Sequence, residues 1–182
     1  MMNIPGTILF DRHDIDRRVR ELAVEINRDY EGKDAVLVSI LKGSFMFLAD
    51  LSRKLDFSHV IDFARLASYG SGSTSTGSVE IRKDIEIPVQ GRDVLIVEDI
   101  VDTGITIAFF AERIRRRSPR SLKSCTLIDK KERRQLEFVP DYVGFAVDEG
   151  FIVGYGLDYD EQYRCLPDIY VLDERRLAGG GL

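Results

Sequence analysis

Two short runs constrain this chain most: "AVLVSIL" (35–41) and "VLIV" (94–97). Both are almost unbroken in apolar residues and rich in β-branched ones. A strand with one wet face alternates apolar and polar residues. A continuous run has to be covered on both faces, which is the condition of a central strand in a parallel sheet. Each run leads through a turn into a helical pattern. "KGSFMFLADLSRKL" (42–55) follows the first, and a helix with Ile107, Phe110, Ala111 and Ile114 on one face follows the second. Upstream, Ile15, Val19, Leu22, Ala23 and Ile26 recur at helical spacing within 11–30, with Asp11 or Asp14 placed to cap the start. Further strands are expected at 59–70, 79–87, 122–129 and 141–147, with another extended segment at 151–160. Strands alternating with helices predict an α/β fold with a largely parallel central sheet flanked by helices.

At 182 residues and 44% hydrophobic, the chain suits one domain with a real core. No apolar run approaches the roughly 20 residues of a membrane span, and the first residues do not read as a secretory signal. A net charge of -5 argues against general nucleic-acid binding. Cys125 and Cys165 form no CxxC pair and read as reduced thiols of a cytoplasmic protein. His13 and His59 lack metal-ligand spacing and read as surface or strand-edge residues. The arginines at 115–117 and 120 suit a helix C-terminus.

In parallel α/β sheets, ligands bind beyond the carboxyl ends of the strands. The segments 42–44, 98–106 and 129–131 are therefore expected on one rim. The segment "VLIVEDIVDTGIT" (94–106) combines two opposite tendencies. Thr103, Gly104 and Thr106, with backbone N–H groups at a helix start, make an anion cradle. Glu98, Asp99 and Asp102 sit in the expected turn and would repel an anion. One alternative is a helix capped by Asp102 or Thr103. The other is a ligand carrying a phosphate for the cradle, hydroxyls for the acids and a centre of positive charge. A phosphorylated ribose that becomes cationic during reaction satisfies this second reading.

Four other segments each have a plain and a functional reading. "LKGS" (41–44) is an ordinary turn, or an anion site built from Lys42, Gly43 and Ser44. "SYGSGSTSTGS" (68–78) is a hairpin tip, or a lid with Ser68 and Tyr69 at its base. "DKKERR" (129–134) is a solvated charge run, or brings Lys130 to the rim just past a strand end. In "EGFIVGYGLDYDEQYR" (149–164), Phe151 and Asp158 are core and turn residues, or they offer an aromatic face and a cation ligand beside Arg164.

The chain also resembles a known family. "VLIVEDIVDTGIT" is similar to the phosphoribosyl pyrophosphate (PRPP) motif of type I phosphoribosyltransferases. "LKGSF", "ASYGSGSTSTG", "LIDKKERR", "DYVGF" and "FIVGYGLDYDEQYRCLP" follow in the order found in bacterial hypoxanthine and hypoxanthine-guanine phosphoribosyltransferases, from about residue 35 to residue 172. The resemblance implies transfer of 5-phosphoribose from PRPP to a 6-oxopurine, with Mg²⁺, in a cytoplasmic homo-oligomer of two or four chains. It implies a core at about 11–148, a hood from 1–10 and 149–175 and a lid at 68–78, whose small polar residues at 70–78 already read as a mobile loop; the tail at 178–182 has, from its composition, no reason to be ordered.

Site residues follow from the resemblance position by position. Glu98 and Asp99 match the acids at the ribose hydroxyls and metal. Asp102 matches the general base. Ile100, Val101, Asp102, Thr103, Gly104, Ile105 and Thr106 match the PRPP loop. Lys42 and Gly43 match a pyrophosphate loop that carries a cis peptide between residues equivalent to Leu41 and Lys42. Lys130 matches the donor to the purine 6-oxo group, Phe151 the stacking ring and Ile152 a backbone reader of the base edge. Asp158 matches a second metal ligand at the purine side, and Arg164 a pyrophosphate contact. Ile105 and Lys131 depart from relatives that have lysine and proline there. Two rival readings are a PRPP-sensing regulator and a non-catalytic interaction domain.

Overall fold

In the computed structural model, residues 6–68 and 79–173 are described, without the side chain of Ser68. The first helix, α1 (Arg12–Tyr30), begins where Asp11 accepts the backbone N–H groups of His13 and Asp14 at 2.8 and 2.9 Å. Its buried stripe is Ile15, Val19, Leu22, Ala23, Ile26 and Tyr30. The central strands β2 (Asp34–Leu41) and β5 (Asp93–Val101) are the two apolar runs, and they are adjacent and parallel. Flanking them are β3 (Ser58–Ser68), β4 (Val79–Lys83), β6 (Ser121–Lys130) and β7 (Tyr142–Val147). The order across the sheet is β4-β3-β2-β5-β6-β7, and only β4 runs antiparallel.

Two-sided burial appears residue by residue. Leu37, Leu95 and Val97 pack toward α1 and α2 (Phe45–Ser52). Val36, Val38, Val94 and Ile96 pack toward α3 (Ile105–Arg115), where they meet Ile107, Phe110, Ala111 and Ile114. Alternate residues of one strand thus enter opposite cores, as the two-residue strand period requires.

Some boundaries differ from expectation. β4 ends at Lys83 rather than 87, because buried Asp62 of β3 accepts the N–H groups of Glu86 (2.6 Å) and Ile87 (2.8 Å) and takes them out of the ladder. The segment expected to be extended over 151–160 is only a short strand, β8 (Phe151–Val153), followed by turns. With β1 (Gly6–Phe10) and β9 (Ile169–Leu172), β8 forms a second, antiparallel sheet in the order β1-β9-β8. Phe10 stacks on Phe145 of β7 at 3.9 Å between ring centroids, and Arg12 holds Asp168 through its backbone N–H at 2.9 Å and its Nε at 3.1 Å. These contacts fix the small sheet to the large one. Tyr69, the rest of the expected lid and the expected tail lie outside the described residues.

Candidate active site

Parallel pairing puts the ends of β2, β5 and β6 on one edge: Ser39 lies beside Val97, and Val101 beside Asp129. The segments that follow Leu41, Val101 and Lys130 therefore leave from the same rim, as expected. Glu98 and Asp99 belong to β5 itself, a correction to their placement in the turn. The ladder to β6 continues to Val101, so the strand outlasts its apolar run.

Both acids are buried, at 8% exposure each. Burial pushes the Glu98 carboxyl well above its ordinary range, and the neighbouring Asp99 charge adds to the shift. Burial also raises Asp99, against an opposing hydrogen bond from Glu98. Among the described residues, Glu98 Oε2 is buried without a hydrogen-bond partner. Such a group costs stability unless a ligand satisfies it. A Cβ at Gly43 would overlap the Asp99 carboxylate, so glycine alone lets the 42–44 turn lie on this acid. The Leu41–Lys42 peptide is cis. Buried Ser44 shares a 2.6 Å hydrogen bond with Ser39, and its hydroxyl also reaches the Ile40 carbonyl, which pins the turn.

Gly104, at φ 81°, is the N-cap of α3, with no side-chain capping bond. A Cβ there would also overlap the Leu136 carbonyl. Capping by Asp102 or Thr103 is thereby corrected. Thr103 Oγ1 accepts the Ile105 N–H at 3.4 Å, and the Thr103 carbonyl accepts Gln135 and Leu136 N–H groups at 2.9 and 3.0 Å. Beyond Ile105, the opening N–H groups of α3, including that of Thr106, have no intrahelical acceptor and can face an anion. Ile100 and Ile105 are half-buried, and Val101 is packed into the α3 core.

Asp102 follows directly on β5. Its Oδ2 accepts Arg133 Nε at 3.0 Å, while Oδ1 is buried and has no partner among the described residues. Its carbonyl accepts Arg134 Nε at 2.8 Å. Arg134, 17% exposed, also donates to the carbonyls of Val101, Lys130 and Phe138 and pairs with Asp129. It thereby stitches the β5 and β6 exits together. Sequence reasoning missed both arginines, because a run such as "KKERR" looks the same whether solvated or paired.

Lys130 is the last residue of β6 rather than just past it. Its side chain is 8% exposed, with Nζ 2.8 Å from Glu132. Phe151 is 37% exposed and meets Tyr159 edge-on at 5.4 Å, while Ile152 is buried. Asp158 pairs with Arg164 at 2.9 Å and accepts the Glu161 N–H at 2.9 Å. Arg164 also donates to the Gly156 carbonyl at 2.8 Å. Among the described residues, no three His, Cys, Asp or Glu side chains gather to hold a metal. Asp158 is thus not grouped with Glu98 and Asp99. The donor set fits a cation of the magnesium type, which takes one or two carboxylates and fills its shell with water and substrate phosphates.

The sequence model of the phosphoribosyl transferase domain matches residues 6–160. A hypoxanthine-guanine phosphoribosyltransferase of Aquifex aeolicus is 44% identical over 168 residues, 92% of this chain and 94% of that one. The hypoxanthine phosphoribosyltransferase of Escherichia coli K12 is 44% identical over 172 residues, 92% and 97% of the two chains. A crystal structure of a Staphylococcus aureus hypoxanthine phosphoribosyltransferase superposes with a TM-score of 0.91 at 41% identity, covering 97% of this chain and 98% of that one. With fold, rim and sequence in agreement, the chain belongs to the phosphoribosyltransferase family, in the branch of the hypoxanthine and hypoxanthine-guanine enzymes.

Proposed function

We propose that the protein is a purine-salvage enzyme that transfers 5-phosphoribose from PRPP to hypoxanthine, guanine or both. It releases IMP or GMP and pyrophosphate. The observation that carries this reading is the buried Glu98–Asp99 pair, with an unpartnered oxygen, one turn before an open helix N-terminus. That juxtaposition suits one ligand with a sugar edge and a terminal phosphate.

In this reading the 5′-phosphate accepts hydrogen bonds from the segment Thr103, Gly104, Ile105 and Thr106. Glu98 and Asp99 accept from the ribose hydroxyls. Their negative charge also favours the oxocarbenium-like transition state as the bond from C1′ to the pyrophosphate oxygen breaks and the electron pair leaves with pyrophosphate. Purine nitrogen attacks C1′ while Asp102 takes the imidazole-ring proton. Lys42, Gly43 and Arg164 hold the pyrophosphate. Lys130 donates to the 6-oxo group, Phe151 stacks on the base and Ile152 reads its edge. Glu98, Asp99 and Asp158 would hold magnesium, which would supply neutralisation of the leaving-group charge. The small sheet acts as the hood, and the segment 68–78, with Ser68 and Tyr69, as the lid that excludes water.

The protein is further expected to assemble into a homo-oligomer, a dimer or tetramer that sedimentation velocity would detect. The free thiols Cys125 and Cys165 suit the reducing cytoplasm. Among the described residues no helix is long and apolar enough to cross a membrane. The deciding assay mixes purified protein, PRPP and Mg²⁺ with hypoxanthine, guanine, xanthine or adenine. Nucleotide from hypoxanthine or guanine is expected. No product with any base would overturn the enzyme reading, and product from adenine alone would overturn the 6-oxopurine assignment.

A further inference from the structure

Glu161 makes an arrangement that the proposed reaction does not call for. Its Oε1 takes Lys42 Nζ at 2.7 Å, and its Oε2 takes Arg164 Nη2 at 3.0 Å. Those are the two cations assigned to pyrophosphate, brought together from positions 119 residues and 3 residues away. Asp158 accepts the Glu161 backbone N–H at 2.9 Å, so the turn delivers this carboxylate to its place. A carboxylate bridging a lysine and an arginine presents the two oxygens that a phosphate would present to them.

We infer that Glu161 is an internal stand-in for pyrophosphate: it occupies Lys42 and Arg164 in the ligand-free protein, yields them to PRPP, and returns to help expel pyrophosphate. This inference rests on the proposed phosphoribosyl transfer and goes beyond it by naming a residue that sets ligand exchange. Glu161 is 63% exposed, so it can swing into solvent without breaking the fold. Neighbouring ion pairs follow the same pattern, with Glu132 on Lys130 and Arg133 on Asp102. Each charged group assigned to substrate in these pairs has a counter-ion from a loop at the rim.

The energetics set the size of the effect. Exposed ion pairs are individually weak, and a ligand competing with an internal occupant loses affinity by the fraction of sites already filled. Replacing Glu161 by Gln keeps shape and removes charge. The expected result is that E161Q lowers KM for PRPP about threefold to tenfold and tightens inorganic pyrophosphate, titrated calorimetrically with Mg²⁺, by a similar factor. KM for the purine should stay within about twofold, and kcat should fall as pyrophosphate leaves more slowly. A merely structural role would raise KM for PRPP instead. D160N, which removes the same charge one residue away, serves as the control.

Unchanged or weaker pyrophosphate affinity in E161Q, beside an active parent protein, would overturn the stand-in and leave the enzyme reading intact. An equal gain in D160N would also overturn it, because the cause would then be the general field rather than the pairing. A parent protein that makes no nucleotide would overturn the enzyme reading and the stand-in with it.

Discussion

Asp102 is the residue at which sequence and structure say the most together. It looked like a helix cap, yet α3 is capped at Gly104, and Asp102 meets Arg133 through one oxygen and leaves the other buried without a partner among the described residues. A carboxylate that no capping duty employs is available as a base. Asp102→Asn should lower kcat by about 10²–10⁴ while PRPP affinity changes only a few-fold. Steady-state kinetics beside a PRPP titration check this, and equal losses in both would remove the base role. Lys130 gives a second test. Its ammonium is nearly buried beside Glu132, so its hydrogen bond to a purine oxygen would be charge-assisted. Lys130→Ala should raise KM for purine roughly ten- to hundredfold and spare PRPP. A purine KM that does not move would remove the assignment. Both residues stood out in the sequence, because each sits at a strand end that leads onto the rim.

Elements are joined by polar contacts that the sequence did not reveal. Asp29 near the end of α1 accepts Lys123 of β6 at 2.7 Å and the hydroxyl of Tyr142 of β7 at 2.7 Å. Lys123 first, and Tyr142 second, hold its carboxyl down to about 2 from an ordinary 3.8. A depressed folded-state pKa contributes stability that is complete above the unfolded value and is lost as pH falls through the folded one. Asp29→Asn should therefore cost about 1 kcal/mol at neutral pH, allowing for solvent screening. The difference should shrink as pH falls below 3.8 and vanish only once pH is below about 2. Urea titrations of both proteins across that range would show it, and a cost that stays constant with pH would rule out the charge as its source. Helix α1 itself was legible from its apolar spacing. Its polar ties were not, because acids lie all along its exposed face and nothing local marks Asp29.

For the whole molecule, the consequence of the site is a buried pair of acids whose ionisation is disfavoured until a ligand or cation joins them. Glu98 and Asp99 disfavour ionisation where they are, and Glu98 Oε2 lacks a partner among the described residues. Binding of PRPP with Mg²⁺ should relieve this and shift folding by mass action. At a ligand concentration of 100 Kd the gain is about 2.7 kcal/mol, or a Tm rise of roughly 5–10 °C for a chain of this size. Differential scanning calorimetry would measure it, and an unchanged Tm at saturating PRPP would contradict binding at this rim. The sequence by itself determined the layered α/β plan, the adjacency of cradle and acids, and the identity of the rim. These depend on periodicity and on order along the chain, which are local properties. Only the tertiary structure decided that Glu98 and Asp99 lie within β5, that Arg134 joins two strand exits, and that Glu161 seats itself on Lys42. Whether a charged side chain is solvated or paired is set by neighbours that packing brings from far along the chain, and no local pattern encodes them.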